Sequence, residues 1–171
     1  MTRLKVDNLV FKFAAGFRAS KYDDWSHPTP HGRKAVDVVA TEKANPPDTL
    51  WLVEVKDFRV ITQPPRPAHV TGLHAVVAKK VQDSLVGLES ASMAAADAAE
   101  KDFALHAMKA PHRRVVLHLE PHTGPRSVLF PVGFPSLVLQ KLKPLVAAID
   151  ANPLVLDIAS TSRASVPWGV S

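Results

Sequence analysis

Residues 50–58 run Leu-Trp-Leu-Val-Glu-Val-Lys-Asp-Phe, apolar at almost every position until a polar end. A strand with one face in water alternates apolar and polar residues. An unbroken apolar run therefore marks a strand covered on both faces, in the middle of a sheet. The preceding stretch, 34–41, is rich in β-branched residues and reads as a second strand. The turn signal Asn45-Pro46-Pro47-Asp48 joins the two.

Other elements follow from local pattern. Short alternating runs at 8–13 and 17–22 around Ala14-Ala15-Gly16 predict an N-terminal β-hairpin. Pro64, Pro65 and Pro67 make 60–70 an extended connector. A helical period begins near Gly72 and runs through Val77, Lys80, Val81, Ser84 and Leu88. A second, Ala-rich helix spans about 89–109, with Gly87 as the predicted break. A strand at 113–120, a Pro- and Gly-containing loop at 121–135, a helix at 137–150 capped by Ser136 and a strand at 154–158 complete the order. Pro144 should kink that last helix or mark a late start. The predicted fold class is α/β: a mixed central β-sheet flanked by helices, with an N-terminal hairpin and an extra helical pair. With 171 residues, 46% of them hydrophobic, the chain suits one domain over 1–159 and a loosely ordered tail at 160–171.

Chemistry concentrates in 34–58. If these two strands form an antiparallel hairpin centred on Asn45-Pro46, paired residue numbers sum to 91. Val39 then faces Leu52, Asp37 faces Glu54 and Ala35 faces Lys56. Side chains alternate along a strand, so Glu54 and Lys56 share one face with Asp37 beside them. Two adjacent carboxylates repel and need compensation in an apolar sheet. A hard divalent cation supplies it, because Mg²⁺ takes oxygen ligands and is often held by one or two carboxylates. The Val55 carbonyl offers a third ligand, and Lys56 would act on the attacking water and offset charge on a phosphate. The same residues also suit a salt bridge where the strand emerges into solvent.

Asp37, sixteen intervening residues and Glu54-Val55-Lys56 at the end of a hydrophobic strand resemble the PD-(D/E)XK nuclease superfamily, the restriction-endonuclease-like fold. The resemblance covers a strand-strand-helix-strand core over about 17–120. It implies a metal-dependent phosphodiesterase in which Asp37 and Glu54 hold Mg²⁺ (Mn²⁺ as substitute) and Lys56 serves the water. The segment Lys21-Tyr22-Asp23-Asp24-Trp25, taken with the 50–59 run, is also similar to small bacterial proteins, a likeness that names no activity. Two features depart from the superfamily pattern. Val36 stands where the motif's name has Pro, and a hairpin replaces the opening helix that can bring another acid. Asp23 and Asp24 are the upstream acids that could substitute, and Asp24 is carried as the accessory candidate.

The helix after the motif strand carries Lys79, Lys80, Gln82 and Asp83, of which Lys79 and Gln82 are the accessory candidates for the site. His118 and Glu120 share one face of their strand and are candidates to line the same cleft, though a half-exposed strand side explains them as well. The His27/His31 and His118/His122 spacings suggest zinc, but both pairs involve Pro-containing loops and the chain has no Cys, which argues against it. Arg33, Lys34, Arg59, Arg66, Arg113 and Arg114 could form a basic rim. A formal net charge of +5 favours a polyanionic partner without requiring one. The expected partner is nucleic acid, DNA before RNA, with a homodimer or a place in a larger assembly. The rival is a catalytically inactive subunit that keeps the fold and binds nucleic acid or protein. No run approaches the roughly 20 apolar residues of a membrane span. The opening segment carries Lys5, Asp7 and Lys12, wrong for a signal peptide, so a cytoplasmic location is expected.

Overall fold

The computed structural model describes residues 1–27, 34–59, 70–122 and 130–171. Among them the strands are β1 Thr2–Val6, β2 Leu9–Phe13, β3 Phe17–Lys21, β4 Val38–Glu42, β5 Thr49–Asp57, β6 His112–Glu120, β7 Leu154–Leu156 and β8 Trp168–Val170. The helices are α1 Leu73–Ala94, α2 Ala98–Ala107, α3 Phe134–Val146 and α4 Ile158–Thr161, with one 3₁₀ turn at Tyr22–Asp24.

The apolar run is β5, third of five strands in the order β3-β4-β5-β6-β7. The sheet is mixed: β3, β4 and β5 pair antiparallel, while β5, β6 and β7 pair parallel. Val39 lies opposite Leu52 and Thr41 opposite Leu50, the register expected from the turn. Period two then splits β5 between two cores. Leu50 and Leu52 pack with Val77, Val81 and Leu88 of α1, under the helical layer. Trp51, Val53 and Val55 pack with Phe11, Phe13 and Trp168, under a second sheet of order β1-β2-β8. Cover on both faces is why the strand has no alternation to show.

Four sequence expectations need correction. The runs at 8–13 and 17–22 are strands, but they do not pair with each other. β2 pairs with β1 through an Asp7-Asn8 turn, and β3 pairs with β4 in the other sheet. Alternation identifies a strand without identifying its partner. The tail is ordered: Phe13 pairs with Trp168, which is buried between the layers. The helical break falls at Ala95–Asp97, where the Asp97 carboxylate accepts from the Ala99 and Glu100 amides, while Gly87 lies buried inside α1. Helix α3 starts at Phe134 after Gly133, whose φ of 78° favours glycine, and not at Ser136. The prolines of the 60–70 connector and most of the 121–135 loop lie outside the described residues. No helix among the described residues is long and apolar enough to cross a membrane.

Candidate functional site

Asp37 sits one residue before β4, at the point where the chain bends into the sheet. Its carbonyl accepts from the Tyr22 amide at 2.8 Å, which fastens the 3₁₀ turn beside it. Its carboxylate Oδ2 accepts from the Val55 amide at 2.6 Å, just beyond the last paired residues of β4 and β5. Glu54, on the helix-facing side of β5, is fully buried. Lys56 follows two residues on, and its ammonium lies 2.6 Å from Glu54 Oε1. From α1, Lys80 donates to Glu54 Oε1 and Oε2 at 2.8 and 2.9 Å and lies 3.7 Å from Asp37 Oδ1. Ser84, one turn along, donates to the Lys80 carbonyl and accepts from the Val36 amide, tying α1 to the approach of Asp37. Asp23, from the 3₁₀ turn, completes the group through a hydrogen bond with Asp37.

Three carboxyl groups and two ammonium groups thus share one patch. Loss of surrounding water, then the hydrogen bond and like charge of Asp37, push the Asp23 carboxyl up to about 7, against the pull of Lys80. Burial followed by repulsion from Asp37 raises Glu54, with Lys56 and Lys80 opposing. Burial pulls Lys80 down, but the charges of Glu54 and Asp37 together outweigh it and hold its ammonium above the usual lysine range. Acids and amines offset each other's charge in the patch, and Asp23, raised to about 7, is the acid placed to take up a surplus proton.

The donor atoms are hard oxygens of the kind Mg²⁺ and Mn²⁺ take. A cation already lies between Asp37 Oδ1 and Glu54, namely the Lys80 ammonium, so the carboxylates fit a positive ion at that place. With the side chains so arranged, no three His, Asp or Glu among the described residues form a group able to hold a metal ion. The Val55 carbonyl accepts from Lys56 at 3.0 Å, so it too is engaged.

Asp37, Glu54 and Lys56 come together as their spacing predicted. The accessory candidates do not. Asp24 pairs with Lys21 at 3.1 Å and lines a groove along β3. Lys79 pairs with Asp83 and is 68% exposed, and Gln82 is exposed as well. The acid and the amine that do reach the patch are their neighbours Asp23 and Lys80. A signal existed for Lys80: it lies three residues after Val77 and four before Ser84, on the flank of the buried stripe. Positions 79 and 82 turn away from that stripe.

His118 and Glu120 do not line this patch. His118 sits opposite Val55, on the other face of the sheet, where it touches Glu120 at 3.0 Å and the Phe11 ring. Of the basic rim, Lys34 is exposed ahead of Asp37. Arg59 is taken up by Asp57, and Arg114 lies at the far end of β6 with Asp150. Arg113 pairs there with Leu50, while Arg33, Arg66 and His31 lie outside the described residues.

No family model and no solved structure matches the chain. Among curated proteins it is similar to a cysteine–tRNA ligase of Neisseria meningitidis serogroup A, 27% identical over an alignment 213 positions long. That alignment covers all of this chain and 30% of the relative's length, so the chain spans under a third of the protein it matches.

Proposed function

We propose that the chain is a metal-dependent nuclease of PD-(D/E)XK type that hydrolyses phosphodiester bonds in DNA, with RNA as the alternative substrate. One observation carries the reading: Asp37, Glu54 and Lys56 meet at the end of the sheet's central strand. The order β4, β5, α1, α2, β6 around them supports it, since it follows the strand-strand-helix-strand core of that superfamily with α2 as an added helix before β6. Asp37 and Glu54 would hold Mg²⁺, or Mn²⁺ in its place, with the Val55 carbonyl joining once it leaves Lys56. The ion when bound supplies Lewis acidity toward a phosphoryl oxygen and lowers the pKa of a water. Lys56 would hydrogen-bond the attacking water and offset the charge that builds on the phosphate. Duplex cleavage needs two such sites, so a homodimer or a larger assembly goes with the proposal, as does a cytoplasmic location. The relative's name brings tRNA among the RNAs to be assayed.

Lys56→Ala should lower Mg²⁺-dependent cleavage by about 10²–10⁴ while circular dichroism stays that of the wild type. Wild-type protein that leaves varied DNA and RNA intact with either metal would sink the enzyme claim. The rival reading, a fold-retaining subunit that binds nucleic acid or protein without cutting, draws on the engagement of both Glu54 oxygens by ammonium groups. It expects a salt-dependent DNA mobility shift with no Mn²⁺ uptake.

A further inference from the structure

From the contacts of Lys80 we infer that this residue is an internal latch: its ammonium holds the cation place between Glu54 and Asp37, and metal loads only when it withdraws. The inference rests on the metal-dependent reading of the site.

Lys80 does not merely neighbour the acids. It donates to both oxygens of Glu54, at 2.8 and 2.9 Å, and reaches Asp37 Oδ1 at 3.7 Å. Mg²⁺ bonds oxygen at about 2.0–2.1 Å and demands near-octahedral order, so it needs those same lone pairs facing inward. A dication and an ammonium on one pair of oxygens would stand a few ångströms apart in a poorly solvated place, where like charges repel strongly. One must leave, and the protein can move only the lysine.

Two further contacts make a latch the better account than a structural clamp. Glu54 does not depend on Lys80 for charge compensation, because Lys56 contacts its Oε1 at 2.6 Å. The helix is also not fastened to the sheet through the amine alone, since Ser84 bridges the Lys80 carbonyl to the Val36 amide, at 2.7 and 2.9 Å. Ser84 therefore keeps α1 on the sheet when the ammonium swings out, and the Lys80 side chain is 12% exposed.

The test is a calorimetric titration of the full chain with Mn²⁺, for wild type and for Lys80→Met, which keeps the volume of the side chain and removes its charge. A latch predicts Mn²⁺ binding at least about tenfold tighter in the variant, because the ammonium that spans Glu54 and Asp37 is gone and Lys56, which contacts Glu54 Oε1, is the cation left. Binding that is equal or weaker in Lys80→Met overturns the latch and leaves the metal site standing. No Mn²⁺ binding in either protein overturns the metal reading and the latch together. If Lys80→Met does not fold, Lys80→Gln takes its place, since its amide still donates to Glu54 without a charge. The wild type gives an independent readout: Mg²⁺ should increase acetylation of Lys80 by a soluble anhydride, scored by mass spectrometry. Unchanged acetylation at saturating Mg²⁺ also overturns the latch.

Discussion

The fold poises the Asp23 carboxyl near neutrality, at about 7 against an ordinary value of 3.8. Its folded-state pKa is raised, so the folded state holds this proton after the unfolded chain has released it. The stability it lends is complete below about pH 4 and is lost as pH climbs toward about 7. Glu54 is shifted in the same direction, so a single protein's profile does not isolate Asp23. Asp23→Asn does, because an amide can donate to Asp37 as the protonated acid does but cannot ionise. Thermal melts in chelator should show the wild type losing more stability than Asp23→Asn over about pH 4 to 7. Parallel profiles for the two proteins would contradict the assignment. Asp37, Glu54 and Lys56 were legible beforehand because strand alternation and the turn at Asn45-Pro46 fix both face and register. Asp23 was harder. Its choice over Asp24 depends on how Tyr22 seats the 3₁₀ turn, with its ring against Trp25 and its hydroxyl donating to the Ser84 carbonyl. No local pattern encodes that placement.

Elements divide the same way, into those declared by local chemistry and those decided by a neighbour. Strand β5 announces itself because both faces are apolar. The α1–α2 boundary was misplaced because glycine weighs heavily in any reading by propensity. Glycine inside a helix costs about 1 kcal/mol relative to alanine. Burial of Gly87, Leu88 and Ala91 in the helical core outweighs that cost and carries α1 to Ala94. The second helix is instead started by Asp97, whose Oδ1 accepts from Ala99 and Glu100 at 2.8 and 2.9 Å. Removing an N-cap of this kind costs about 1 kcal/mol. Asp97→Ala should therefore lower unfolding free energy by about that much in urea melts and leave Mn²⁺ affinity as it was. Gly87→Ala does not test the boundary, since a buried site adds packing effects of its own.

The site and the second sheet lie on opposite faces of the five-stranded sheet. Glu54, Lys56 and Asp37 face the helices, while Trp51, Val53 and Val55 face β1, β2 and β8. The closing strand β8 is three residues long, too short to read as a strand when its partner β2 lies some 150 positions away in sequence. Backbone pairing to β2 sets its place, and one buried side chain anchors it. Trp168 packs edge-on against Trp51 at 5.3 Å and tilted against Phe13 at 5.4 Å, and is buried between the sheets. Replacing a buried Trp with Ala costs about 3–5 kcal/mol, and the lower end applies to a strand at a sheet edge that can partly relax. Trp168→Ala is thus expected to lose about 3 kcal/mol in urea unfolding. Mn²⁺ affinity should hold under conditions where the variant stays folded, because the side chains of Asp37, Glu54 and Lys56 lie on the face of the sheet away from Trp168. A loss below about 1 kcal/mol would mean that the tail is an ornament on the second sheet. A folded variant with weakened Mn²⁺ binding would mean that the two faces of β5 are coupled through the strand itself.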